Sequence, residues 1–154
     1  MVVCADPATR ESFCARVLED PGALLTMGKV LELLRGRVAE EDMEAKARAL
    51  LEAAAAKRLA AGQTVVVAME TLDPAERERY VRMAAGHRRP RHLILVEAGK
   101  ESVADADRAA LAELRTTLDA GGLGAEGFMT SLRLGGRTVE ELKRIVFAKP
   151  PADD

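Results

Sequence analysis

The chain of 154 residues has no tryptophan, one tyrosine, three phenylalanines, two cysteines and two histidines. Cys4 and Cys14 cannot make a disulfide framework, and His87 and His92 lie too far along the chain to complete a four-ligand zinc pattern with them. No metal is expected. A run of about 18 uncharged apolar residues, the length a bilayer span needs, is missing, and Met1-Val2-Val3-Cys4 lacks the basic and apolar regions of a signal peptide. These absences lead to the expectation of a cytoplasmic protein with no membrane partner. Charge of one sign is scarce too: 23 basic against 25 acidic residues leave a net charge of −2, which argues against a general nucleic-acid binder.

Alanine is abundant, with 28 residues, and arginine outnumbers lysine 17 to 6. That bias raises helix propensity and fits a GC-rich, bacterial-like genome. The length suits one domain, assigned to 1–148 with a flexible tail over 149–154, and a chain of this size buries roughly 68–70% of its unfolded surface without staples.

Short β-branched runs alternate with longer helical stretches, the pattern of βα units around a parallel sheet. Strands are expected at Met1 to Ala5, Ala23 to Met27, Thr64 to Val67, His92 to Val96 and Phe128 to Leu134. Thr64-Val65-Val66-Val67 is apolar on both faces, as a central parallel strand should be. A helix around Phe13, Val17 and Leu18 should end at Asp20-Pro21-Gly22, and the run from Lys29 to Ala61 should divide near Gly36 and Glu40-Glu41-Asp42. Asp73-Pro74 reads as an N-cap followed by proline at the first helical position of a helix to Ala85. A helix from Ser102 or Asp105 to Asp119 and a short one from Val139 to Val146 complete the series.

A loop between a first strand and a first helix is where phosphates bind, because backbone N–H groups and a helix N-terminus attract anions. Here it reads Ala5-Asp6-Pro7-Ala8-Thr9-Arg10-Glu11-Ser12. Laid on G-x-x-x-x-G-K-[ST], only Ser12 matches; Ala5 and Arg10 stand at the glycines and Glu11 at the lysine. The order of the whole chain nonetheless resembles the small P-loop kinases of the polynucleotide kinase and zeta-toxin-like kind. Leu24-Leu25-Thr26-Met27-Gly28-Lys29-Val30 occupies the place of their strand with a catalytic Asp. Gly62 to Leu72 matches their strand before D-A-T-N. The resemblance covers about residues 1 to 147 and implies an α/β, three-layer, doubly wound, mostly parallel five-stranded sheet of the P-loop NTPase type.

The resemblance also implies which positions should work, and this chain departs at each. Gly28 stands for the general-base Asp and Ala68 for the Asp of the magnesium shell, besides Glu11 for the phosphate lysine. A charge pair near about 4 Å is worth on the order of 4 kcal/mol at an effective dielectric of about 20, so Glu11 in place of lysine reverses a large interaction. Glu11 has a structural reading as well: a carboxylate in a helix's first turn interacts favourably with the N-terminal dipole. The alternative is a loop that still holds an anion through Arg10 and Ser12.

Arg108 and Arg115 are seven apart, on one face of the lid-like helix where such kinases clamp phosphate, though such pairs are more often a solvated face. The cluster His87 to His92, with Arg88, Arg89 and Arg91, is a candidate docking patch for an acidic partner or phosphate backbone, and no aromatics interleave it. Glu70 reads as a loop residue, Cys14 as a small buried apolar side chain, and the glycine-rich run Gly121 to Phe128 as a flexible lid return, with docking of a partner by Leu123, Phe128 and Met129 as the alternative. The sequence thus points to a non-catalytic kinase-like domain, a pseudoenzyme that binds a protein partner or its own copies, with no cofactor. The alternative is an atypical kinase holding ATP or GTP with magnesium and acting on a polynucleotide or small-molecule hydroxyl.

Overall fold

A computed structural model describes residues 1–145, apart from the side chain of Arg137. The expected tail 149–154, and Val146 at the end of the last expected helix, lie outside the described residues, and that helix is shorter and earlier than expected, ending at Glu141 with Leu142 to Ile145 not helical. Among the described residues there are five strands, β1 (Val2–Val3), β2 (Leu24–Leu25), β3 (Val66–Val67), β4 (His92–Val96) and β5 (Thr130–Leu134). Every pairing is parallel, with Val2 opposite Ile94, Leu24 opposite Val66 and Val96 opposite Leu134. Parallel strands need crossovers, and five helices supply them, α1 (Pro7–Val17), α2 (Met27–Leu34), α3 (Glu40–Ala60), α4 (Pro74–Gly86) and α5 (Arg108–Asp119), while the short α6 (Arg137–Glu141) follows β5. Three-residue 3-10 turns precede β2 and α5 and follow α5.

The expectation of one five-stranded doubly wound sheet is met only in part. The strands form a three-stranded sheet β1-β4-β5 and a two-stranded sheet β2-β3. A single bridge, Val2 with Ala68, joins them, carried by Met69 N–H to the Val2 carbonyl at 2.9 Å. β1, β2 and β3 are each two residues long against the four or five expected, because β3 leaves β2 for β1 within three residues: Ala68 N–H still reaches the Leu25 carbonyl.

Alternation along the strands divides the core. Val2, Val66, Ala68, Ile94, Val96 and Leu134 pack with Phe13, Cys14 and Val17 of α1. Val3, Val67, Leu93 and Leu95 face the other way, toward Ala47, Leu51 and Ala55 of α3, Tyr80 and Val81 of α4, and Leu111 and Leu114 of α5. Helices therefore cover both faces at β1, β3 and β4, as buried parallel strands require, whereas the edge strand β5 is exposed from Thr130 to Arg133. Leu123 and Phe128 are core residues, whereas Met129 is exposed.

Three Asp-Pro pairs set three helix starts. Asp6, Asp20 and Asp73 each accept a backbone N–H from two or three residues on, and Pro7, Pro21 and Pro74 fill the first helical position. The first pair corrects an expectation: Ala8 to Ser12 are not loop but the opening turns of α1, and only Cys4, Ala5 and Asp6 connect β1 to it.

Candidate functional site

The carboxyl ends of parallel strands are where an α/β sheet presents chemistry. After β1 comes Asp6, whose carboxylate accepts Thr9 N–H at 3.3 Å and Thr9 Oγ1–H at 2.5 Å. A carboxylate thus occupies the N-terminus of α1. Glu11, expected in the first turn, is the fifth helical residue, beyond the reach of that dipole. Its side chain turns instead toward the start of α2, where a β-carbon added at Gly28 would stand 3.7 Å from Glu11 Oε1.

Arg10 is not a surface cation. It is 4% exposed, donates Nη1–H to the Met69 carbonyl at 2.6 Å and approaches Glu70 at 3.6 Å, while among the described residues its Nε has no hydrogen-bond partner. It ties α1 to the segment following β3. Glu70, read from the sequence as a plain loop residue, is its ionic partner. Ser12, in the second turn, is exposed, and Ala68 is buried beside Val2 in the α1-facing core. Ala5 precedes the cap, in a connection without glycine. The structure thus brings Arg10 and Glu70 together, and Glu11 and Gly28, but does not gather the candidate positions around one anion.

The paired arginines of α5 also separate. Arg108 is exposed against Asp105 at 3.2 Å. Arg115 is held by Glu97, with Nε at 2.8 Å and Nη2 at 2.5 Å, and Arg133 Nε reaches the same carboxylate at 2.8 Å. The Arg115 hydrogen bond, reinforced by Arg133, holds the Glu97 carboxyl below the usual carboxylate range. Sequence reasoning missed Glu97, though it is the first residue after β4, a position where an α/β sheet places its chemistry. Beside it lies a cleft of about 590 Å³, between the opening turns of α1 and the ends of β4 and β5, lined by Thr9, Ser12, Arg16, Gly99, Gly136 and Glu140.

Residues 87 to 92 sit at the opposite edge, as expected for a loop entering β4. Arg88 adopts φ 53°, and Arg91 is fixed by hydrogen bonds to the carbonyls of Gly127 at 2.8 Å and Arg89 at 3.1 Å. The basic patch is therefore not three equivalent free arginines. Burial pushes the Cys4 thiol up and the Cys14 thiol up to about 11, so neither is a nucleophile at neutral pH. Among the described residues no three His, Cys, Asp or Glu side chains cluster to hold a metal, and no helix is long and apolar enough to cross a membrane.

A family model described as an AAA domain matches residues 11–114, from inside α1 into α5. The chain belongs to this AAA domain family. The domain is accordingly P-loop kinase-like, with the α/β fold of the P-loop NTPases. The match begins inside α1, so β1 and the Cys4–Asp6 connection precede the matched stretch, and the Glu97 carboxylate falls within it. A comparison with curated proteins gave no match.

Proposed function

We propose that this AAA-family chain is a non-catalytic, P-loop kinase-like domain whose role is to bind a protein partner, as a scaffold, regulatory or oligomerising subunit. The observation that carries the reading is the Asp6 cap: its carboxylate accepts the Thr9 N–H in the first turn of α1, where a phosphate would otherwise sit. The three residues between Val3 and Pro7 leave no room for a cradle of backbone N–H groups around a second phosphate. Glu11 and Gly28 in place of a cation and a base, and the burial of Ala68, support the same conclusion.

A second reading rests on the cleft beside Glu97. There Ser12 and Arg16 could hold a nucleotide without the Asp6 turn, in an atypical kinase. Arg108 and Arg115 serve this reading poorly, since both are ion-paired. Calorimetric titration with ATP and GTP, with and without magnesium, separates the two. No heat up to millimolar nucleotide is the expected result; saturable micromolar binding, lost in Arg16→Ala, overturns the proposal in favour of the kinase.

A further inference from the structure

At the amino-terminal edge of the strands, opposite the Asp6 turn, lies a cavity of about 420 Å³. That is within the roughly 300–1,000 Å³ of small-molecule sites. Its walls are apolar where the strands begin, with Val2, Val65 and Ile94, and where α3 and α4 end, with Leu59 and Ala84. No aspartate or glutamate lines it, whereas Arg89 and Arg91 do.

The two arginines differ. Arg91 has Nε and Nη1 committed to backbone carbonyls, so it sets a fixed positive field on one wall. Arg89 is half-buried, and among the described residues its guanidinium has no hydrogen-bond or ionic partner. It lies over the C-terminal turn of α3, where a β-carbon added at Gly62 would stand 3.9 Å from Arg89 Nη1. Gly62 itself has φ +71°, which keeps a side chain out of that space. A half-buried guanidinium at the mouth of an apolar cavity recognises a carboxylate through its planar fork, and the walls behind it recognise an aliphatic body. Gln63 and Thr64 stand at the same mouth.

We infer that this cavity is a binding site for a monoanionic aliphatic carboxylate, its head on Arg89 and its chain against Val2, Val65, Leu59, Ala84 and Ile94. The site is independent of the Asp6 turn and of whether nucleotide binds there.

The test uses the full chain and octanoate as probe, with octanol and acetate as the uncharged and headgroup-only counterparts, followed by calorimetry and amide chemical-shift mapping. Octanoate should bind saturably and shift the amides of residues 62–67, 84 and 89–94. Octanol should bind at least about tenfold more weakly, since a hydrogen bond to a charged group is worth about that factor or more, and so should acetate, which keeps the charge but lacks the apolar chain that the walls would bury. Arg89→Gln should lose about tenfold in octanoate affinity with an unchanged circular dichroism spectrum, while Arg88→Gln, whose side chain is outside the cavity, should not. The proposal fails if octanol binds as tightly as octanoate, if both variants weaken binding equally, if the shifts map to the Glu97 cleft, or if octanoate does not bind.

Discussion

Arg10 shows how one side chain changes meaning between sequence and structure. Beside Glu11 and Ser12 it reads as a phosphate ligand; folded, it is 4% exposed and bonded to the Met69 carbonyl. A buried acceptor left without its donor costs about 1–3 kcal/mol. Arg10→Met, which keeps much of the volume, should therefore lower stability by about that amount and depress the thermal midpoint by several degrees, read by circular dichroism. An unchanged midpoint would return Arg10 to the role of an anion ligand. The thiols make a second prediction at this scale. With Cys14 pushed up to about 11 and both cysteines buried, a disulfide reagent at pH 8 should label neither in the native protein and both after denaturation.

Between elements, Glu97 is the main ionic junction. It receives Arg115 from α5 and Arg133 from β5, and Arg133 also reaches Asp119 at the end of α5 at 3.3 Å. The folded state holds the Glu97 carboxyl below its ordinary value. The stability this contributes is fully present above the unfolded carboxylate value of about 4.3 and is lost as pH falls through the lower folded value. Urea midpoints measured from neutral pH down toward pH 2 should fall more steeply for the wild type than for Glu97→Gln. The variant should be the less stable of the two at neutral pH, where its amide cannot match the charged pair. The helix starts belong to this scale as well. Asp73-Pro74 was read as a cap from the sequence, and Asp6-Pro7 carries the same signal; alignment with a phosphate-loop pattern masked it.

Across the whole molecule, one bridge between Val2 and Ala68 is the only strand pairing that links the two sheets among the described residues. β4 has partners on both sides and an interior nearly free of solvent, with Leu95 and Val96 at 0% and 1% exposure. Amide exchange should accordingly be slowest in Leu95 and Val96 and faster by about an order of magnitude or more in Val66 and Val67, since local opening follows the number of interactions broken. Equal protection would mean that β2 and β3 open only with the entire sheet.

Much of this was legible in the sequence. Periodicity and β-branched runs located all five strands, α3, α4 and α5, and the division near residues 36–42, because those signals are local and β1, β3 and β4 are buried almost throughout, although β5 is exposed from Thr130 to Arg133. The identities at 11, 28 and 68, on which the proposed loss of phosphate-site charges rests, are likewise read directly from the sequence. What required tertiary structure was long-range: that Arg10 turns inward to the end of β3, that Arg115 closes on Glu97 from 18 residues away, and that Arg89 lines a cavity beside the end of α3. Those outcomes depend on where separate elements pack, and side chains as long as arginine reach partners that neither spacing nor composition specifies.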